Sequence, residues 1–284
     1  MARRESVGMT RSVLVPSSLC REAADKREAT HKVGLVARAA TVFRVDRVTV
    51  FPDLDGDRRW GGGFVSTVLA YAATAPYLRK EAWGTRDELE YAGVLPPLRA
   101  AARTGSESNG SGSLRQGIVT EVGPDGRVRV NCGLQHPISL VAPPEMAVDE
   151  GERVTVRISS REPVRARITD EAPPGFAVER ADLSAALGRE DAGFRVATSR
   201  HGEVLTTERL GTLAGRVDDG LTVAFGAPER GLPAMLDIDA ASVAGDSDHT
   251  GFDCWLNTVP KQGSEVVRTE EAVFATLAPL TLPQ

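Results

Sequence analysis

The chain reads as an α/β protein, a mostly parallel sheet domain interrupted by a small all-β barrel, and three observations predict this. Apolar strand-like runs alternate with helix-period segments from Ser12 to Ala73, and strand–helix alternation resumes after residue 176. Between residues 116 and 158 the pattern changes to short alternating segments separated by turn residues. A low-complexity stretch, ARTGSESNGSGS (102–113), marks the change.

The elements follow in order. Ser12–Pro16 (SVLVP) is a first strand, and Asp25–Arg44 is a long helix with Val33, Val36, Ala40 and Phe43 at helical spacing. Asp46–Phe51 is a second strand, followed by a Gly/Asp-rich loop over 53–63 and a helix over Phe64–Ala73 that Pro76 ends. PYLRK (76–80) and AGVLPPL (92–98) contain Pro and Gly and imply irregular backbone. Strands are then expected at Gln116–Val122, Arg127–Cys132, Ile138–Val141 and Arg153–Ile158. Gly123–Gly126, Pro143–Pro144 and Asp149–Gly151 form the turns. Four or five short strands in about 60 residues suggest a small closed barrel of the OB type. The resulting division is 1–101 for the first part of the α/β domain, 102–113 for a linker, 114–175 for the barrel and 176–284 for the rest. In that last part Phe194–Thr198, Leu221–Phe225 and Phe252–Leu256 read as strands, and a closing helix carries Val273–Ala278, capped by Thr269.

Composition narrows the function. The chain has 284 residues and 41% hydrophobic content, enough for a real core. No apolar run reaches 18 residues, so no membrane span is expected, and Met1–Arg11 lacks the apolar block of a secretory signal. Cys20, Cys132 and Cys254 lie far apart without a Cys/His cluster, which argues against zinc and against a disulfide framework, and for a cytoplasmic protein. Net charge is −5, but residues 1–50 carry +5. Arg outnumbers Lys thirty to four, and residues 232–250 hold four Asp and no Lys or Arg. Scarce Lys and acidic loops fit a salt-adapted cytoplasm; GC-rich coding gives the same Arg bias.

Three C-terminal strands run into polar, small-residue segments: Thr198–Gly202, Gly226–Gly231 and Asn257–Ser264. Ligands of open α/β sheets bind beyond the carboxyl ends of strands where such segments converge. NTVPKQGSEVVRTEEA (257–272) is the richest of them, with Glu270 and Glu271 in the first turn of the closing helix, where its dipole favours acids. The sequence has neither a phosphate-binding Gly-x-x-x-x-Gly-Lys loop nor a GxGxxG opening a helix, which counts against a nucleotide-binding metabolic enzyme.

Seven stretches together resemble the SPOUT (α/β-knot) RNA methyltransferases, in the archaeal–eukaryotic branch with an inserted OB-like domain. They are GLVARAATVFRVDRVTVF (34–51), APYLRK (75–80), YAGVLPPL (91–98), RQGIV (115–119), VNCG (130–133), GAPERG (226–231) and NTVPKQGSEVVRTEEA (257–272). The resemblance implies a deep trefoil knot near the C-terminus, S-adenosylmethionine bent into the three segments, and a homodimer. It implies that Gly226, Glu229, Arg230 and Gly231 form one wall. Asn257, Thr258, Pro260, Gln262, Gly263 and Ser264 form a second, where Gly263 allows close backbone approach. Thr198, Ser199 and Gly202 belong to the third. Arg38 corresponds to the Arg that ribose-methylating relatives place at the target nucleotide, and Glu229 and Arg230 join it as catalytic candidates.

Each candidate also has a plainer reading. Arg38 could pair with an acid or a helix end, and Glu229–Arg230 could be a solvated turn pair. Arg268 could bind phosphate or cap a helix. His201 is a candidate base by its titration range. Arg79 and Lys80 are RNA-backbone candidates, with Arg129 and Arg157, and with Arg127, Arg165 and Arg167 on the barrel. Eight acids balance eight arginines over 113–170, and the only aromatic is Phe176 at the edge, so stacking on bases is weak there. The expected function is an S-adenosylmethionine-dependent RNA methyltransferase acting on a base nitrogen or a ribose 2′-oxygen, on rRNA before tRNA. The alternative is an RNA-binding or ribosome-assembly protein with a vestigial knot domain.

Overall fold

The computed structural model describes residues 10–56, 59–60, 63–100, 112–124, 126–143, 146, 148–240, 243 and 250–282. The expected linker lies outside the described residues as far as position 111, as do Asp125, Pro144, Asp246 and Asp248. The chain divides into two units, one of residues 1–70, 88–98 and 176–284, the other of residues 71–87 and 99–175.

The first unit is built on a six-stranded sheet in which every pairing is parallel. Its strands are β1 (Arg11–Pro16), β2 (Arg47–Phe51), β8 (Ala177–Arg180), β9 (Phe194–Val204), β10 (Leu221–Ala224) and β11 (Cys254–Asn257), in the order β11-β9-β10-β1-β2-β8. β1 and β10 are buried along nearly their whole length, which is why they read as continuous apolar runs rather than alternating ones. Register aligns Leu14 with Ala224, Ala224 with Ala197, and Ala197 with Trp255. These four belong to one apolar cluster with Phe51, Leu187, Leu232 and Phe252. α4 (Leu183–Leu187) and α6 (Leu232–Met235) supply its helical side chains. Phe252 and Trp255 meet edge to face at 5.5 Å, a geometry that adds to their area burial.

α1 (Lys26–Val42), α5 (Thr207–Val217) and α7 (Thr269–Leu280) form a second group, α7 packing on both others. Asp25 caps α1 by accepting from the Glu28 amide at 2.7 Å, and Glu28 reaches back to the Ala24 amide at 2.8 Å. The 91–98 segment lies on α1: a Cβ at Gly34 would come within 2.6 Å of Pro96 Cδ. Lys32, only 1% exposed, enters the α1–α7 contact and meets Glu22, Glu28 at 3.8 Å and Glu270 at 3.6 Å. Glu270 is 4% exposed, and burial raises its carboxyl above the usual range.

The second unit carries a five-stranded antiparallel, nearly closed sheet in the order β5-β4-β3-β6-β7. Its strands are β3 (Ser113–Val122), β4 (Arg127–Asn131), β5 (Ile138–Val141), β6 (Arg153–Arg161) and β7 (Val164–Thr169). Val119, Val128, Val130, Cys132, Val156, Ile158 and Ile168 fill its core. A Cβ at Gly117 would meet Val130 at 2.6 Å, so glycine there admits the facing strand's side chain. α2 (Phe64–Ala73) leads into this unit, and α3 (Arg79–Trp83) belongs to it. The Trp83 ring has the guanidinium groups of Arg86 and Arg153 at 5.3 and 5.5 Å. Aromatic side chains therefore do accompany the barrel, from residues 71–87 outside its strands.

Two expectations about elements are corrected. Thr269 does not cap α7; Arg268 holds the N-cap position, its amide donating to Glu271 at 2.9 Å, and Thr269 Oγ1 instead donates to the Gly226 carbonyl at 2.8 Å. Nor does the strand from Phe194 end at Thr198. It resumes at Glu203 and Val204, which pair with Leu256 and Asn257.

Candidate active site

Three segments at the carboxyl side of neighbouring strands line one cleft of about 500 Å³ within the first unit. β10 feeds the first. After Ala224 the chain makes a tight turn in which the Ala227 amide donates to the Arg230 carbonyl at 3.0 Å and the Arg230 amide returns to Ala227 at 3.1 Å. Pro228 takes the second position and Glu229 the third, at φ +61°, a left-handed conformation that a turn of the type II kind normally gives to Gly. Gly226 is required by packing: a Cβ there would sit 2.7 Å from Gly231 Cα and 2.8 Å from the Leu232 amide nitrogen.

Arg230 fixes this turn from outside. Its Nε donates to Asp53 at 3.1 Å and its Nη2 to Asp55 at 3.4 Å. Asp53 is 4% exposed and also accepts from the Ser18 hydroxyl at 2.5 Å, while its amide donates to Ser17 Oγ at 3.0 Å. Arg230 thus ties the loops after β1 and β2 to the end of β10. It does not itself line the cleft, whereas Glu229 does, exposed and without a side-chain hydrogen bond or ion pair among the described residues.

β9 supplies the second wall by a register jump. Trp255 pairs with Ala197 but Leu256 pairs with Glu203, so Thr198–Gly202 form an excursion from the ladder. Thr198 Oγ1 donates to the Ala224 carbonyl at 2.9 Å, and Asn257 Nδ2 donates to the Arg200 carbonyl at 3.0 Å, which anchors the start and the middle of the excursion. Gly202 does not line the cleft; a Cβ there would meet the Trp255 and Leu256 backbone at 2.8–2.9 Å, so its role is strand approach. Arg200 Nε and His201 Nε2 lie 3.1 Å apart in a hydrogen bond, so this ring nitrogen accepts from the guanidinium.

The third wall follows β11. Asn257 Oδ1 accepts from the Val259 amide at 3.1 Å, and Gln262 Nε2 donates to the Ser264 and Glu265 carbonyls at 2.9 and 3.1 Å, which folds the loop upon itself. Thr258 and Thr276 share a hydrogen bond of 2.7 Å that pins the loop to α7. Asn257, Thr258 and Gln262 line the cleft; Pro260, Gly263 and Ser264 do not. A Cβ at Gly263 would meet nothing within 4 Å, so protein packing does not demand glycine there. Phe225, Leu256, Val259, Val266 and Val267 give the cleft apolar surface under this polar set. Val266, Val267 and Ala272 were not singled out in the sequence, although the place of the two valines between the polar loop and α7, and of Ala272 in the first turns of α7, was the available signal.

The remaining candidates lie elsewhere. Arg38 donates from Nη1 to the Pro97 and Leu98 carbonyls at 3.1 and 2.9 Å, holding the 91–98 segment on α1. Arg79 is bonded to the Thr74 and Ala72 carbonyls and lies over the Tyr71 ring at 4.7 Å. Arg157 corrects the expectation of an RNA contact: it is 5% exposed and spends its guanidinium on Glu171, which holds that carboxyl below the usual range. Lys80, Arg127, Arg129, Arg165, Arg167 and Arg268 are exposed; Arg129 faces Glu121 at 3.6 Å. All three cysteines are free thiols buried in the fold, and burial pushes Cys20 and Cys254 up to about 12, so neither is a ready nucleophile. No described helix is long and apolar enough to cross a membrane.

Comparison with known proteins places the whole chain. Residues 10–280 match the family described as "Putative RNA methyltransferase". An uncharacterised protein of Halobacterium salinarum is 69% identical over 97% of this chain and 100% of its own length. The 28S rRNA (uridine-N(3))-methyltransferase of Mus musculus is 27% identical over 98% of this chain and 78% of its own length. Its Homo sapiens counterpart is 27% identical over 95% and 77%. With a match spanning nearly the whole chain, from β1 to the end of α7, this protein belongs to that RNA methyltransferase family.

Proposed function

We propose that the chain is a cytoplasmic S-adenosylmethionine-dependent methyltransferase that modifies rRNA at uridine N3. The observation that carries the proposal is the convergence of Thr198–His201, Phe225–Gly231 and Asn257–Ala272 on one cleft at the strand ends. Its size lies within the range of sites that enclose a nucleoside-sized ligand. Its chemistry also fits: an apolar bed from Phe225, Leu256 and Val267 suits a flat heterocycle, and Asn257, Thr258 and nearby backbone groups suit its polar edge. The donor would supply an activated methyl group on a sulfonium centre. The protein would hold it, exclude water and align the RNA atom, which is where most of the acceleration in such a transfer arises.

The base nitrogen is favoured over the ribose oxygen by two observations. The animal relatives are named for uridine N3, and Arg38, the ribose-reaction counterpart, is bonded to Pro97 and Leu98 carbonyls. We further propose the SPOUT superfamily, with a C-terminal trefoil knot, an OB-like barrel that grips RNA through exposed arginines, and a homodimer. Calorimetry with S-adenosylmethionine and its demethylated product is expected to give micromolar binding; no binding of either would refute the reading. Nucleoside mass spectrometry of rRNA from a deletion strain is expected to lack one N3-methyluridine.

A further inference from the structure

Removing a proton from a base nitrogen requires an acceptor in the cleft, and we infer that Glu229 is that acceptor, selecting bases whose ring nitrogen carries a hydrogen. This inference rests on the methyltransferase reading above and names its general base. Among the described residues, three titratable acceptors line the cleft: His201, Glu265 and Glu229. The ring nitrogen of His201 that would take a proton already accepts from Arg200. Glu265 lies in exposed coil, its carbonyl accepting from Gln262. Glu229 sits at the end of β10, inside the sheet order, on a turn closed by two backbone hydrogen bonds and tied down through Arg230 to buried Asp53. A functional group is best held by such a rigid support.

The backbone supplies the second argument. Glu229 adopts φ +61°, where a side chain is strained and glycine is at ease. It is exposed, and among the described residues its carboxylate has no partner. Non-glycine residues in this conformation gather at active sites, where surrounding structure enforces them.

In the proposed step the Glu229 carboxylate accepts the N3 proton as the nitrogen's electron pair forms its bond to the methyl carbon. The methyl–sulfur bond breaks, its electron pair stays on sulfur, and the sulfonium becomes a neutral thioether. The charge balances, with one proton moved to Glu229. The same carboxylate would be repelled by the bare ring nitrogen of cytosine, whose lone pair faces outward.

The test uses the full-length protein, unmodified large-subunit rRNA and labelled S-adenosylmethionine, with Glu229→Gln and Glu229→Gly. Both variants are expected to lose kcat by about 10²–10⁴-fold, the usual share of a general base. Donor affinity measured by calorimetry should stay within about threefold. Glu229→Gly should melt no lower than the wild type, because glycine relaxes the turn. The assignment is overturned if either variant loses less than about tenfold in kcat, if the loss lies in donor affinity, or if Glu229→Gly lowers the melting temperature. If the wild type binds the donor but transfers no methyl to rRNA, the function falls and this assignment with it.

Discussion

Replacing Lys32 with Met tests what holds the α1–α7 contact, and through it one side of the cleft. The ammonium group is 1% exposed and serves Glu22, Glu28 and Glu270; Met keeps the stem but removes the charge. Removing one partner from a buried ion cluster costs roughly 3–5 kcal/mol, because the remaining charges are left without compensation. At roughly 2–4 °C per kcal/mol, the melting transition of the sheet unit should fall by about 6–20 °C. The cost must also depend on pH. Burial places the folded-state value of Glu270 above its unfolded value, so between the two the folded state binds more protons. Stability therefore falls as pH rises through that window. Without Lys32 the window widens, because the nearest positive charge that favoured the carboxylate is gone. Denaturant titrations of both proteins at pH 5 and pH 8, at one fixed salt concentration, should show the larger deficit at pH 8. Equal deficits at both values, or a loss under about 1 kcal/mol, would refute the view that this cluster is electrostatically stabilised.

Other outcomes follow from the same geometry. Gly226→Ala should force the turn away from Gly231 and Leu232, costing roughly 1–3 kcal/mol and weakening donor binding in calorimetry at least tenfold. Arg157→Ala should lower the melting temperature of the barrel unit without changing RNA affinity. Arg165→Ala and Arg167→Ala should leave the melt unchanged, and each should reduce the salt slope of RNA binding by roughly 0.7–0.9 for every phosphate no longer neutralised. Arg38→Ala should speed proteolysis within residues 91–98, mapped by mass spectrometry, and reduce kcat less than Glu229→Gln does.

Much of the sheet was legible because buried parallel strands leave an unmistakable apolar run. SVLVP, DRVTVF and LTVAF each match a strand to within a residue, and the helical spacing of Val33, Val36 and Ala40 within Asp25–Arg44 located α1. β8 was not legible: AVER is four residues long, none of them is buried, and its pairing with β2 is tertiary. α5 was missed although Thr206 caps it, since Gly211 and Gly215 weaken its helical signal and only Leu213 is buried. β7, VRARIT, escaped because its outward arginines dominate the pattern.

The three cleft walls were legible as polar segments after apolar strands. Their internal logic was not. Arg230 and Glu229 stand side by side in sequence, yet one is drawn to Asp53, far upstream in the chain, and the other is left at the rim. Arg157 looked like its neighbouring arginines until its partner Glu171 was visible. Charge sorting of that sort depends on which residues meet across the fold, and no local pattern encodes it.

The place of β1 in the sheet has a consequence for how the chain is made. β1 lies between β2 and β10, and about 170 residues separate β2 from β10. At ribosomal elongation rates of roughly 5–20 residues per second, the β1–β2 pair waits about 10–30 s for its other neighbour. During that interval the antiparallel unit has fully emerged and can close, while β1 presents an open edge to solvent. The cleft, lined among the described residues by positions 198–272, is assembled last. A nascent chain of this family therefore has its barrel ready well before it could hold a methyl donor.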